Sequence, residues 1–349
     1  ICLSTDRVIV HGGSEDIRLI APEAGPHDQD ERLALPRAVF LRLQQSSRPS
    51  DAAEPKALGP AGPEPFVVGG EIEILSRGNA LWVVNRLDLE EYVMGVVPAE
   101  MSASWHPEVL KVQAIATRTY ALYQMMVHAN REYNVVATIH DQVYRGRAGV
   151  DDYIREAVES TASLALTHEG RPILAVFSST AAGPTEDAVN VWSKNLPYLK
   201  GVECPFDRDS PYYEWRTVFP LTYLETGLRQ EGWEVGTIAT LTPYAYSQAG
   251  RVSRLRILHS GGELLVRGED LRRIVGYHVI PSTRFTIDAI GSDVALSGYG
   301  AGHAVGLCQW GAKELAELGY PHHEILRYYF PGTELKRTYR MDSLPTPLP

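Results

Sequence analysis

Between residues 107 and 129 apolar positions recur at helical spacing on more than one side. Val109, Val112, Ala116, Thr119 and Tyr123 form one stripe, and Leu110, Ala114, Thr117 and Ala121 a second. A helix apolar on several sides is a buried one. Just upstream, Asp88 followed by Glu91 reads as an N-cap with a capping-box-like partner, and Pro98 is expected to end that first helix. Pro107 and Glu108 suit the first turn of the second helix. The pattern therefore leaves Glu100 on a Pro-Ala-Glu-Met connection between two helices. Glu is a good helix former, so a Glu held on a short connection looks positioned rather than merely solvated.

The rest of the chain mixes short periods. Before residue 86, strand-like segments fall at 7–11, 17–20, 38–43, 71–75 and 81–84, with a Pro/Ala/Gly-rich loop at 47–65. A third helix is expected over 151–162. A hairpin follows, from 163–167 through Glu169-Gly170 to 173–178. Residues 205–296 alternate strands and short helices, including a hairpin around Gly261-Gly262. Helices close the chain at 312–318, ended by Gly319, and at 323–330, stopped by Pro331. Helices and strands occur without regular βαβ alternation, so the fold class is α+β: mixed short-stranded sheets, a few helices and a central buried helix after Glu100. The expected division is a β-rich part at 1–85 and a catalytic domain at 86–349, carrying a β-rich insertion at 205–296.

The 349 residues, 44% of them apolar, are enough for a sizeable core. A net charge of −10 with no long Lys/Arg run argues against nucleic acid as a partner. No apolar run is long enough to cross a membrane. The chain opens on Ile1 rather than Met, so a further N-terminal segment is expected to precede it. The three cysteines, Cys2, Cys204 and Cys308, contain no CxxC pair. They read first as small buried hydrophobes, with a Cys204–Cys308 disulfide left open.

Several motifs in order carry a family likeness: LDLEEYVMGVVPAEM, WHPEVLKVQAIATRTYAL, FSSTAAGPTEDAVNVW with LPYLKGVECPFD, GRVSRLRIL and GYGAGHAVGLCQWGAKELAELGYPHHEILRYYFPGTEL. Across residues 87–335 the chain resembles the SpoIID/LytB family of bacterial cell-wall proteins, whose sporulation members are lytic transglycosylases. The resemblance implies an extracytoplasmic enzyme acting on peptidoglycan glycan strands, with the family's catalytic acid aligned on Glu100. In that chemistry the sugar's own C6 hydroxyl attacks the anomeric carbon. One carboxyl can then serve as acid and base, where hydrolases use two. Glu186 or Asp187 would be the second carboxylate if the reaction were hydrolysis instead. A second implied reading is a glycan-binding modifier of a cell-wall amidase.

Candidate substrate-binding residues follow the same motifs. Gln113 and Arg118 lie on the second helix, where Arg118 either holds Glu100 or a sugar oxygen, or ties the helix to a neighbouring backbone. Gln142 and Tyr144 offer an amide for hydroxyls and a ring for a sugar face. Ser179 and Thr180 sit on a polar turn after an apolar segment. His303 and Gln309 lie in a glycine-rich loop that is neither a P-loop nor a dinucleotide fingerprint. Ala304 and Cys308 depart from the residues usual there. Some relatives bind zinc next to the position of His140. Asp141 stands where they often carry Cys; His140 and Asp141 could still ligate a metal with others such as His128, but two neighbouring candidates do not make a site, so no metal or cofactor is expected.

Overall fold

The computed structural model describes residues 7–11, 67–77 and 80–338, and of these the side chains outside 7–11 and 76–81. In chain order the elements are β1 (Arg7–His11), β2 (Glu71–Arg77), β3 (Ala80–Arg86), α1 (Leu89–Glu100), α2 (Pro107–Val127), α3 (Asp152–Ser160), β4 (Leu164–His168), β5 (Arg171–Pro172) and β6 (Phe177–Ser178). There follow α4 (Ala188–Trp192), β7 (Glu214–Pro220), α5 (Leu221–Gln230), β8 (Ile238–Tyr246), β9 (Val252–His259), β10 (Gly262–Arg267) and α6 (Gly268–Val275). The chain continues through β11 (Phe285–Ile290), β12 (Asp293–Tyr299), β13 (Leu307–Cys308), α7 (Gln309–Glu317), α8 (His322–Tyr329) and β14 (Glu334–Arg337). The fold is α+β. The strands expected at 17–20 and 38–43, and the loop at 47–65, lie outside the described residues.

Two compact units result. Among the described residues, the first takes those up to Ala103 and His128–Glu159; the second takes Ser104–Val127 and those from Ser160 to 338.

In the first unit β1, β2 and β3 form an antiparallel sheet in that order. The Asp88 side chain accepts from the Glu90 N–H and caps α1. Val93, Val96 and Val97 of α1, together with Ile154 and Val158 of α3, are wholly buried. The helix does not stop at Pro98 as the sequence suggested: it runs to Glu100, and the Met101 N–H bonds to the Val97 carbonyl at 2.9 Å. A proline so near a C-terminus removes one intrahelical bond and leaves the last turn free to close. Glu100 is therefore the last residue of a helix, not part of a loop.

In the second unit α2 is buried on all sides, polar residues included: Gln113, Thr117, Arg118 and Thr119 expose nothing. It packs against β4, β5, α7 and α8. The sheet β14–β4–β5 is antiparallel, whereas β6 pairs in parallel with β13, matching Phe177 to Leu307 and Ser178 to Cys308. Only the last two residues of the strand expected over 173–178 are therefore in a ladder. Residues 214–299 build two three-stranded antiparallel sheets, β8–β9–β10 and β7–β12–β11, with α5 and α6. Leu224, Leu228, Leu255, Ile257, Val275 and Val294 belong to their shared core. Gly319, at φ +92°, follows α7 where the sequence placed its stop.

Candidate functional site

The nine candidate residues fall into two groups, one on each unit. On the first unit are Glu100, Gln142 and Tyr144. The Glu100 carboxyl is half-buried, and its Oε1 accepts a hydrogen bond from the Val143 N–H at 2.9 Å. Residue 143 stands between the other two candidates, so their packing sets where that N–H points. The Tyr92 hydroxyl donates to Gln142 Oε1 at 2.9 Å, and the Tyr92 and Tyr144 rings stack with centroids 5.5 Å apart. The Tyr144 hydroxyl reaches Asn85 Oδ1 at 3.4 Å, and the Arg145 N–H bonds to the Gly95 carbonyl. Burial, with Glu91 adding to it, holds the Tyr144 phenol well above its ordinary range, so it stays neutral. Gln142 and Tyr144 are both buried. They back the segment that grips Glu100 rather than facing solvent.

Gly95 explains how that segment comes so close. A Cβ there would lie 2.4 Å from Tyr144 Cε2 and 2.6 Å from the Gly146 carbonyl oxygen. A glycine inside a helix was the available sequence signal for this approach, and the sequence reading passed over it, as it did Tyr92 and Asn85.

On the second unit the motifs meet around residues 177–182. Gln309 Nε2 donates to Gln113 Oε1 at 3.3 Å, and Gln113 Nε2 to Thr117 Oγ1 at 3.2 Å, joining α7 to α2. The Ser179 and Thr180 hydroxyls are 3.1 Å apart, and Thr180 Oγ1 is 2.6 Å from Ser210 Oγ. The Trp310 N–H bonds to the Ser179 carbonyl, and Thr180 and Ala301 exchange both backbone bonds. The buried Ser178 hydroxyl accepts from the Ala304 N–H at 3.1 Å. The glycine-rich loop thus lies against the 177–180 backbone: a Cβ on Gly302, at φ +100°, would sit 2.5 Å from Ser178 Cβ. Gln113, Thr180 and Gln309 are buried, while Ser179 and His303 keep some exposure.

His303 is lowered to about 3, first by burial and then by the positive charges of Arg272 and Arg251. Its Nδ1 accepts from the Val305 N–H at 3.0 Å, and the ring also bonds to the Phe177 backbone. A neutral imidazole with both sides engaged is a wall, not an acid–base group. The half-exposed Trp192 meets its ring edge-on at 4.9 Å between centroids.

Arg118 lies apart from this cluster, wholly buried, with Nη1 donating to the Leu164 carbonyl at 3.0 Å. Of its two roles left open by the sequence, this contact is the tie to a neighbouring backbone. Glu186 and Asp187, the alternative second carboxylates, are both engaged in local bonds. Glu186 is buried and accepts from the Asp187 N–H, Asn190 Nδ2 and the Ser247 hydroxyl. Asp187 caps α4 through the Val189 N–H and binds Lys200 at 3.1 Å. On the first unit, His128 Nδ1 bonds to the Asn134 carbonyl and Asp141 Oδ2 accepts from the Val136 N–H. Among the described residues those side chains form no three-ligand set with His140; one is formed by Cys204, Asp207 and Cys308.

Comparison with known proteins extends this picture. A family model described as stage II sporulation protein matches residues 77–168, and one described as a domain of unknown function (DUF8618) matches residues 151–306. Stage II sporulation protein D of Bacillus subtilis is 33% identical over 270 residues, covering 72% of this chain and 75% of that protein. The chain belongs to the stage II sporulation protein D family. This family member is also 31% identical over 267 residues to an uncharacterized protein of Brachyspira hyodysenteriae, covering 76% and 71% of the two chains. It is 29% identical over 289 residues to the amidase enhancer of Bacillus subtilis, across 69% of this chain and 40% of that protein.

Proposed function

We propose that this stage II sporulation protein D family member is an extracytoplasmic lytic transglycosylase. It would cleave the β-1,4 bond between MurNAc and GlcNAc in peptidoglycan and leave 1,6-anhydroMurNAc ends, acting on strands stripped of stem peptides. Glu100 would be the general acid and then the general base. The observation that carries this reading is the Glu100 carboxyl itself: half-buried, and gripped through one oxygen by the Val143 N–H.

The chemistry follows from that setting. An acid catalyst must hold a proton to deliver to the leaving oxygen. Once the proton has gone to the leaving oxygen, the Val143 N–H stabilises the carboxylate that remains. That carboxylate then takes the proton of the C6 hydroxyl as its oxygen bonds to the anomeric carbon. No water enters the product, so a second carboxylate has nothing to activate. This agrees with the commitment of Glu186 and Asp187 to structural bonds. On the second unit Ser179, His303 and the exposed Trp192 would be the groups that meet a glycan, whereas Gln113, Thr180 and Gln309 are buried behind the surface.

The amidase enhancer relative favours a second reading, in which the chain binds glycan and modulates a cell-wall amidase without cutting. Mass spectrometry of denuded glycan strands after incubation separates the readings. Anhydro ends support transglycosylation, reducing ends mean hydrolysis, and bound but intact strands leave the amidase role.

A further inference from the structure

We propose that Cys204, Asp207 and Cys308 form a binding site for one thiophilic divalent cation, zinc by its chemistry. Their ligand atoms lie within 4.8 Å of one another, and each residue is 1% exposed. Two sulfurs bound to zinc at about 2.3 Å lie about 3.8 Å apart in a tetrahedron, a spacing this cluster can meet. The donor set selects the ion: two thiolates favour zinc and exclude the hard cations that prefer all-oxygen shells.

The independent sign is the Asp207 carboxylate. Its Oδ2 accepts from two neutral donors, the Ala182 N–H at 2.7 Å and the Cys308 thiol at 3.2 Å, and its buried Oδ1 has no partner. A buried carboxylate oxygen left unpaired carries a desolvation penalty that a bound cation would offset. Gly311 of α7 faces the cluster, where a Cβ would lie 2.6 Å from Cys204 Sγ and 2.2 Å from the Tyr329 hydroxyl. That hydroxyl, 3.3 Å from Cys204 Sγ, or a water fills the fourth position. Thiols ligate as thiolates, so binding releases one proton from each cysteine to solvent as the two S–metal bonds form.

The ion would tie the 204–207 loop to β13 and to the turn at 181–182, directly after Ser179 and Thr180. It is thus a structural centre on the second unit, independent of what Glu100 does.

The test uses the full chain with Cys2→Ser, produced in cobalt-supplemented medium because a buried site loads during folding. The expected result is one cobalt per chain, thiolate-to-cobalt charge-transfer absorption and tetrahedral d–d bands. The charge-transfer band should fall in Cys204→Ser and Cys308→Ser, and Asp207→Asn should weaken metal retention at least tenfold against a chelator. Folded protein without the charge-transfer band overturns the proposal, whatever the variants do. So does a chain two hydrogens lighter under non-reducing conditions and free of metal, which would mean a Cys204–Cys308 disulfide.

Discussion

Replacing Gly95 by alanine sets two physical effects against each other. Glycine inside a helix costs about 1 kcal/mol relative to alanine, so helix propensity alone makes Gly95→Ala stabilising by that amount. Packing in α1 says the reverse. The new Cβ would stand 2.4 Å from Tyr144 Cε2, and ordinary contact begins near 3.4 Å, so residues 144–146 must retreat by about 1 Å. Overpacking of that kind costs about 1–3 kcal/mol. Lengthening the 3.2 Å bond from the Arg145 N–H to the Gly95 carbonyl costs about 1 more. The net expectation is a loss of about 1–3 kcal/mol in the first unit. Hydrogen–deuterium exchange isolates that unit: amides of 89–100 and 142–146 should exchange about 5–150-fold faster. The Val143 N–H moves with the same segment, and a misplacement of about 1 Å at a catalytic group costs up to about 100-fold in rate. Activity should therefore fall further than the folded fraction does. Slower exchange in α1, by the factor that 1 kcal/mol represents, would refute the reasoning.

Two further outcomes follow from the second unit. Glu108, second residue of α2, is a carboxylate for which burial is an opposing influence. Bonds from Lys111 and from the backbone and ring of His322 outweigh it and bring the group from 4.5 to about 2. A folded value below the ordinary one means stability that is fully present above about pH 4.5 and lost as pH falls towards 2. Full conversion of the displacement is about 3 kcal/mol. Solvent screening of this partly exposed cluster reduces it to about 1, and acid unfolding of Glu108→Gln should lack that portion of the pH dependence. Ser178→Ala strips the buried Ala304 N–H of its acceptor in a loop where Ala304 already sits at φ +59°. It should lower stability by about 1–2 kcal/mol in thermal unfolding, and an unchanged midpoint would mean the loop is held by other bonds.

Local physics made much of this molecule legible in the sequence. The two apolar stripes of α2, the Asp88 cap and Gly319 after α7 each act within a few residues, and each gave its element. The end of α1 misled because Pro98 reads as a stop, whereas the helix gives up the bond from residue 98 and still closes through the Met101 N–H to the Val97 carbonyl. The region at 173–178 misled because an apolar run does not say which part finds a pairing partner, and only β6 meets β13. The positioning residues were harder to read. Tyr92, Asn85 and Gly95 act on 142–146 across dozens of intervening residues, so no short spacing records them. The same is true of Asp207 with Cys308, whose meeting depends on the 181–182 turn. His303 was found by motif, but its neutrality comes from Arg251 and Arg272, which no local pattern connects to it.

The proposed catalysis rests on the Glu100 carboxyl, and Glu100→Gln tests it most directly. The amide oxygen can still accept from the Val143 N–H, so the carboxyl's anchor and the fold should persist while the transferable proton is lost. Mass spectrometry of denuded glycan strands should show 1,6-anhydroMurNAc ends with the unaltered chain and a fall of at least about 100-fold with Glu100→Gln. Anhydro ends formed at an undiminished rate by folded Glu100→Gln would contradict the account.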